Sequence, residues 1–74
     1  MKILLIEDDK KIAELIKNGL KELDYRVDIA NDGEEGLYLA QTNDYDVMIV
    51  DWMLPKKSGI DVIREIKKEK NTPA

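Results

Sequence analysis

Two continuous apolar runs, residues 3–6 and residues 47–50, constrain the fold of this chain more than any other feature. A strand of four consecutive apolar residues presents apolar side chains to both faces of its sheet. That pattern is typical of a central strand in a parallel sheet covered by helices on both sides. Residues 25–30 alternate instead, which indicates an edge strand with one face partly wet. Their apolar side chains are Tyr25, Val27 and Ile29, and their charged side chains are Arg26 and Asp28.

Helical periodicity fills the segments between these strands. The first helix is expected to turn one apolar face toward the sheet, because its large apolar residues recur at intervals of three and four. The members of this predicted face are Ile12, Leu15, Ile16, Gly19, Leu20 and Leu23. Either Asp8 or Asp9 can cap the first turn of this helix with its carboxylate.

Two capping boxes mark the starts of the later helices. Asp32 followed by Glu35 predicts the start of a second helix, because each side chain can accept a backbone N–H of the first turn. Ser58 followed by Asp61 predicts a third helix in the same way. The residues of this helix expected to face inward are Ile60, Ile63 and Ile66.

The predicted order of elements is therefore βαβαβα, which implies an α/β fold with a parallel sheet and right-handed crossovers. We expect a three-layer arrangement with strand order 2-1-3, spanning residues 1–74 as one small domain. The third strand would then have an unpaired outer side, which is an aggregation template unless another strand covers it. Residues 71–74 look like the approach to a fourth strand, so the domain is expected to be incomplete, with three strands and three helices.

The composition narrows the chemistry that this chain can perform. It contains no cysteine and no histidine, which excludes disulfides, thiol chemistry, the commonest general base and a zinc site built on those residues. Metal ligation must come from oxygen, which favours Mg²⁺, Mn²⁺ or Ca²⁺. The formal net charge is −4, and the chain lacks the clustered basic surface that DNA binding requires. No stretch resembles a signal peptide or a membrane span, and a cytoplasmic location is expected.

Carboxylates follow two of the predicted strands directly. Glu7, Asp8 and Asp9 follow the first strand, and Asp51 ends the third. In a 2-1-3 sheet these strands are neighbours, so their carboxyl ends bring Asp51 close to the cluster, in the crevice where open α/β sheets bind ligands. Two ionised carboxylates about 4 Å apart repel by on the order of 4 kcal/mol at an effective dielectric near 20, and a divalent cation removes this cost. For Asp9, helix capping is a better explanation than metal binding. For Glu7, Asp8 and Asp51, the spacing alone does not distinguish metal binding from capping.

Three spaced motifs carry a resemblance to a known family. Residues 2–9, KILLIEDD, resemble the opening of a bacterial two-component response-regulator receiver domain, and residues 51–59, DWMLPKKSG, resemble its phosphorylation loop. Residues 32–37, DGEEGL, are similar to its turn and second helix. The resemblance covers essentially the whole chain and is strongest to receivers that precede a winged-helix DNA-binding domain. It implies a flavodoxin-like fold.

The resemblance also implies roles for individual residues. Asp51 would be the phosphoacceptor, and the phosphoryl donor would be a sensor histidine kinase. The direct ligands implied for Mg²⁺ are Asp8, Asp51 and the backbone carbonyl of Met53, and Glu7 would reach the ion directly or through water. Pro55 and Gly59 would shape the loop after the phosphoacceptor. The chain would be a signalling module rather than an enzyme, and it would control transcription only through a DNA-binding domain that it does not itself contain.

This sequence departs from the family pattern in its length. A full receiver of this kind has two more strands and two more helices, with a Ser or Thr after the fourth strand and a Lys after the fifth that both touch the phosphoryl group. Those positions are not present in the 74 residues. We therefore expect this chain by itself to be phosphorylated poorly, because the groups that position the phosphoryl oxygens are missing.

Two other hypotheses remain at this point. The first is a self-associating half-fold, a homodimer or a domain-swapped oligomer, formed through the exposed edge of the third strand without phosphotransfer activity. The second is a Mg²⁺-dependent phosphatase with an aspartyl nucleophile. Such enzymes commonly carry a second Asp two residues after the first, and Met53 stands at that position here, which argues against this hypothesis.

Overall fold

The computed structural model describes residues 1–51 and 59–69 of the chain. Its elements are β1 (Lys2–Ile6), α1 (Lys10–Lys21), β2 (Arg26–Ala30), α2 (Gly33–Thr42), β3 (Val47–Val50) and α3 (Gly59–Glu69). The predicted alternation of strands and helices is confirmed, and each strand lies on its predicted apolar or alternating run.

The sheet has the predicted strand order. All strands are parallel and lie in the order β2-β1-β3. In the central strand, Ile3 pairs with Val27 of β2 on one side and with Val47 of β3 on the other. At the far end of the strand, Ile6 pairs with Val50. The residues that follow β1 and β3 therefore emerge side by side at the carboxyl edge of the sheet.

The central strand β1 divides the core in two, because its successive side chains point to opposite faces of the sheet. Leu4 and Ile6 lie on the face covered by α2 and α3, whereas Ile3 and Leu5 lie on the face covered by α1. The buried members of the first cluster are Leu4, Ile6, Ala30, Ala40, Tyr45, Met48, Val62 and Ile66. Those of the second are Ile3, Leu5, Ala13 and Val27. Helices on both faces give the predicted three layers and explain why the first strand is apolar throughout.

The inward face of α1 differs from the predicted one. Ala13 is buried, and Ile16 and Leu20 pack against the smaller core cluster. The predicted members that are exposed instead are Ile12, Leu15 and Leu23. Periodic spacing identifies an apolar stripe but not the centre of the contact. The helix approaches the sheet through the small side chain of Ala13, and this turns one side of the stripe outward.

The inward face of α3 is also shifted from the prediction. Ile66 is buried as predicted, but its partner on the buried face is Val62, four residues earlier. Ile60 is exposed, so its predicted inward position is wrong, and Ile63 is half-buried. The contact stripe is narrower than the run of isoleucines, because two residues spaced by four are enough to cover this part of the sheet.

The connection from α1 to β2 is a Schellman motif. The backbone N–H of Tyr25 donates to the carbonyl of Leu20 at 3.2 Å, and that of Asp24 donates to the carbonyl of Lys21 at 2.9 Å. Asp24 has a φ of 63°, in the left-handed region that glycine usually occupies at this position. Tyr25 and Leu20 both pack on the smaller core cluster, which fixes the angle at which the chain enters β2.

The capping box of α2 is present with one change. The N–H of Glu35 donates to Oδ1 of Asp32 at 2.8 Å, as predicted. The reciprocal bond reaches one residue further back, because Oε2 of Glu35 accepts from the N–H of Asn31 at 3.4 Å. The second predicted box, which begins at Ser58, lies outside the described residues.

The outer side of β3 is unpaired within residues 1–51 and 59–69, as predicted for the edge of the sheet. Ile49 in this strand is 37% exposed, because α1 covers β1 and β2 on that face. The predicted approach to a fourth strand, residues 71–74, lies outside the described residues. Among the described helices, none combines the length and the apolar composition needed to cross a lipid bilayer.

Candidate metal centre

Three carboxylates occupy the carboxyl edge of the sheet because of where β1 and β3 end. Glu7 and Asp8 follow β1 directly, and Asp51 follows β3 directly. Backbone hydrogen bonds continue past the strand ends: Asp51 N–H donates to the carbonyl of Ile6 at 2.8 Å, and Glu7 N–H donates to the carbonyl of Ala30 at 3.0 Å. The ends of all three strands are therefore fixed relative to one another, and so are the acidic residues attached to them.

The carboxylates converge on one point. One oxygen from each of Glu7, Asp8 and Asp51 lies within 4.8 Å of the other two. In an octahedral Mg²⁺ shell with oxygens at about 2.1 Å, neighbouring ligand atoms lie about 3.0 Å apart and opposite ones about 4.2 Å apart. The three oxygens therefore need only small side-chain adjustments to serve one ion. Glu7 and Asp51 are half-buried and Asp8 is exposed, so the cluster is open to solvent on one side.

Asp9 belongs to the helix rather than to this cluster. Its Oδ1 accepts the backbone N–H groups of Lys11 at 2.9 Å and of Ile12 at 3.1 Å, which makes it the N-cap of α1. The preference for a capping role, predicted from the sequence, is confirmed. Its own N–H donates to Oε1 of Glu7 at 3.1 Å, so the cap also holds the side chain of Glu7 in place.

The electrostatics of the cluster disfavour a further negative charge. The pKa of Glu7 is raised, first by burial and then by the negative charges of Asp51 and Asp8 nearby. The hydrogen bond from the Asp9 backbone acts in the opposite direction, because it stabilises the ionised carboxylate. A cation bound between these carboxylates would neutralise their charge and stabilise their ionised forms. Only oxygen ligands are available, which favours a hard cation such as Mg²⁺.

One predicted ligand and most of the predicted loop fall beyond the residues that the structure describes. Met53, whose carbonyl was predicted to complete the metal ligands, lies outside the described residues, as do Pro55 and the rest of the predicted loop. Gly59 marks the start of α3. The described part of the site therefore consists of three acidic side chains, one of which is held by a helix cap.

Sequence reasoning missed one residue that supports the site from behind. A Cβ built on Gly36 of α2 would lie 2.8 Å from Cγ1 of Ile6, the residue just before Glu7. The helix therefore rests directly on the end of β1. The sequence contained a signal for this contact, since a glycine in the interior of a helix is unfavourable unless close packing requires it.

The fold and the acidic edge define a class: a flavodoxin-like α/β domain in which three carboxylates converge at the carboxyl edge of the sheet. Residues 3–74 match the family described as the response regulator receiver domain, and this chain belongs to that family. The predicted family is therefore confirmed.

Individual relatives in this family are transcriptional regulators. This chain is 44% identical over 73 residues to the transcriptional regulatory protein HprR of Escherichia coli, covering 99% of this chain and 33% of that protein. It is 45% identical over 67 residues to CusR of the same species, covering 90% of this chain and 30% of that protein. The chain thus spans about a third of the length of these curated relatives.

Solved structures show the same relationship. The receiver domain of the Francisella response regulator 1452 superimposes with a TM-score of 0.88 at 43% identity, covering 92% of this chain and 56% of that one. The response regulator TrrA of Thermotoga maritima, solved in complex with Mg²⁺ and BeF, gives a TM-score of 0.90 at 40% identity, covering 93% of this chain and 60% of that one. TrrA has also been solved in complex with the histidine kinase ThkA, with a TM-score of 0.87.

Proposed function

We propose that this chain is the phosphoacceptor part of a two-component signalling protein, and that Asp51 accepts a phosphoryl group from a sensor histidine kinase. The observation that carries the proposal is the convergence of the Glu7, Asp8 and Asp51 oxygens within 4.8 Å at the carboxyl edge of the sheet. The complex of TrrA with a histidine kinase supports a kinase as the partner. The transcriptional relatives support an output on gene expression through a domain outside this chain. The location that we propose is the cytoplasm.

The proposed ligands of Mg²⁺ are Glu7, Asp8, Asp51 and the backbone carbonyl of Met53. Bound there, the ion supplies positive charge against the cluster and against the phosphoryl oxygens. The Mg²⁺ and BeF in the TrrA structure belong to that protein and support the same cofactor here.

The transfer itself requires a nucleophile at Asp51. A carboxylate oxygen of Asp51 forms the new O–P bond while the N–P bond of the donor phosphohistidine breaks, and the released imidazole nitrogen keeps the electron pair and takes a proton from solvent. Asp51 suits this role better than its neighbours do. Glu7 is already engaged by the backbone of Asp9, and Asp8 is exposed at the rim of the cluster.

Phosphorylation by a small donor tests this assignment. We expect acetyl phosphate with Mg²⁺ to add one phosphoryl group to the chain, slowly, because the receiver positions that hold the phosphoryl oxygens are missing from this sequence. Asp51→Asn is expected to abolish the added mass in intact-protein mass spectrometry. Asp24→Asn, a carboxylate replaced at the far end of α1, should leave the rate unchanged. Equal labelling of Asp51→Asn and the wild type would refute the assignment.

The exposed edge of β3 supports a second candidate function, self-association. Ile49 is 37% exposed on a strand whose outer side is unpaired in the described part of the chain, and such an edge can pair with a second copy as a homodimer or a domain-swapped oligomer. We expect light scattering to report a mass that rises with concentration, and Ile49→Lys to reduce it. A monomer at every concentration would exclude this candidate.

A further inference from the structure

A groove of about 810 Å³ runs along the outer edge of β2, between α1 and α2. We refer to it as the edge groove. Its lining on β2 includes Val27, Asp28 and Ile29, and its two walls come from the two helices. The carboxylate cluster described above contributes nothing to this lining, so the edge groove is a separate feature of the surface.

The floor of the edge groove carries backbone groups that face outward. Arg26 N–H donates to the carbonyl of Met1, and the carbonyl of Ala30 accepts from Glu7 N–H. In a parallel ladder the N–H and C=O of one residue point to the same side, and the side alternates along the strand. The N–H and C=O of Val27 and Ile29 therefore point away from β1, into the groove. No other strand in the described part of the chain pairs with them.

The walls of the edge groove are two straight helical rows. On α1 the row is Lys10, Glu14 and Lys17, and on α2 it is Glu35 and Leu39, followed by the C-cap residue Asn43. At 1.5 Å per residue each row is about 10–12 Å long, which matches three or four residues of an extended chain at about 3.3 Å per residue. The wall of α1 has two cations and one anion, whereas the wall of α2 has one anion followed by an apolar and an amide side chain.

We propose that the edge groove binds an extended peptide segment of a partner protein by strand addition. The outward backbone groups of Val27 and Ile29 would supply the hydrogen bonds. Side chains of an extended peptide alternate between the two walls. On the α1 side the two cations Lys10 and Lys17 outnumber the one anion Glu14, so charge complementarity favours acidic residues at every second position there. On the α2 side Asp28 and Glu35 repel acids, and the residues in between are expected to be apolar and to face Leu39.

A second copy of this chain fits the groove less well than a peptide does. Antiparallel pairing of two β2 edges about a two-fold axis places α1 beside α1 and α2 beside α2. Because the two α1 helices would run antiparallel, Lys10 would lie against Lys17 of the second copy, and Glu14 against its Glu14. Like charges brought together in this way oppose association. An extended peptide has no flanking helices, so it does not bring a second set of these charged side chains to the groove.

Titration with a designed peptide tests the proposal. The probe is a blocked hexapeptide of alternating Glu and Val, added to the ¹⁵N-labelled 74-residue chain, and the control peptide alternates Lys and Val. We expect saturable shifts and slowed hydrogen exchange at the amides of Val27 and Ile29, but not at Leu4 in the centre of the sheet. The control peptide is expected to bind at least about tenfold more weakly, because it reverses the charge facing α1.

Variants of α1 separate the groove from general charge effects. Lys17→Glu is expected to weaken binding of the Glu and Val peptide about tenfold. Lys11→Glu makes the same charge change at an exposed position of α1 that lines neither the edge groove nor the pocket adjoining it, and it should leave binding unchanged. Equal binding of both peptides, shifts confined to other amides, or no shifts in a folded sample would overturn the proposal. So would shifts of Val27 and Ile29 that depend on protein concentration without peptide, since the occupant would then be a second copy. Asp51→Asn should bind the peptide normally, because this groove does not depend on the phosphoacceptor.

Discussion

Gly36 of α2 lies against Ile6 of β1 so closely that a side chain on Gly36 would overlap both branches of the isoleucine. A Cβ there would be 2.8 Å from Cγ1 of Ile6 and 3.1 Å from Cγ2. Ile6 is fully buried, and its branched Cβ restricts the rotamers that could relieve the overlap. Because Glu7 and Asp8 follow Ile6 directly, this contact supports the strand end that carries the acidic cluster.

We therefore expect Gly36→Ala to destabilise the fold. Overpacking of a filled core costs about 1–3 kcal/mol, and the better helix propensity of alanine returns up to about 1 kcal/mol. The net loss in free energy of unfolding should be about 1–2 kcal/mol, measured as a lower urea midpoint with an unchanged m-value.

Gly19→Ala is the matched control for this substitution. Gly19 is also inside a helix, but a Cβ there would meet nothing within 4 Å. Alanine should then stabilise the fold by about 0.5–1 kcal/mol through propensity alone. A similar change in the same direction for both glycines would show that the contact with Ile6 has no energetic consequence.

Asp24 gives a second stability prediction, because it adopts a φ of 63° at the end of α1. A non-glycine residue in this region destabilises the fold by about 1–2 kcal/mol, although the cost is smaller for aspartate than for most other residues. Asp24→Gly is expected to raise the free energy of unfolding by roughly 0.5–1 kcal/mol after the loss of chain entropy by glycine is counted. Urea unfolding provides the measurement.

Asp24→Ala controls for the removed charge. It takes the same carboxylate away from the carboxyl end of α1, where a negative charge is unfavourable, but it keeps a Cβ in the left-handed conformation. It should therefore stabilise less than Asp24→Gly does. Equal stabilisation by the two variants would assign the effect to charge and not to the backbone.

The comparison of sequence and fold shows what periodicity can and cannot predict. The strand at residues 3–6 was predictable because four consecutive apolar side chains are best accommodated by burial on both faces of a sheet. Residues 47–50 carry the same pattern and also form a strand, although Ile49 is 37% exposed on the face that α1 leaves uncovered. The centre of the α1 contact was not predictable, because Ala13 is small and the larger residues Ile12 and Leu15 fit a spacing of three and four equally well. Helix contacts depend on how closely two backbones approach, and this is a property of the assembled layers.

The acidic site likewise has features that the sequence could predict and features that it could not. The strand order places the ends of β1 and β3 side by side, so the proximity of Asp51 to Glu7 and Asp8 followed from topology. The bond from Asp9 N–H to Glu7 did not, because it depends on how the first turn of α1 leaves the strand. The sequence likewise gave no sign that Asp28 of the edge strand accepts a hydrogen bond from Tyr45, seventeen residues away.

This pair gives a prediction about pH. Tyr45 is buried and its hydroxyl donates to Oδ2 of Asp28 at 2.8 Å. Burial raises the pKa of Tyr45, and the hydrogen bond to Asp28 and its negative charge raise it further. The folded chain thus retains a proton that the unfolded chain loses near pH 10. Stability from this group is fully present below about pH 10 and falls as the pH rises above that value.

The expected result is a steeper alkaline loss of stability in the wild type than in Tyr45→Phe. The difference in slope should approach about 1.4 kcal/mol per pH unit above pH 10, the value for one proton. At neutral pH the same variant should cost about 1 kcal/mol, because Asp28 loses a hydrogen bond. Tyr38→Phe, at an exposed position, should change neither quantity, and identical alkaline slopes for Tyr45→Phe and wild type would contradict the pKa shift.

The acidic cluster makes a prediction that combines charge with metal. The raised pKa of Glu7 means that its ionised form is disfavoured in the folded chain, so the stability from its neutral form is present below about pH 4.5 and lost as the pH rises. Glu7→Gln keeps an oxygen to accept the Asp9 N–H but removes the charge. We expect this variant to be more stable than wild type at pH 7 without divalent cations.

In the presence of Mg²⁺ the wild type should become more stable than Glu7→Gln. If the dissociation constant is a tenth of the added concentration, Mg²⁺ stabilises the wild type by about 1.4 kcal/mol, whereas Glu7→Gln, with one charged ligand fewer, should gain clearly less. Urea midpoints in 10 mM MgCl₂ and in NaCl of equal ionic strength, followed by the fluorescence of Trp52, the only tryptophan, measure both effects. Glu22→Gln, beyond the end of α1, should respond to Mg²⁺ as the wild type does. A Glu7→Gln variant with the full response to Mg²⁺ would show that the ion binds without Glu7.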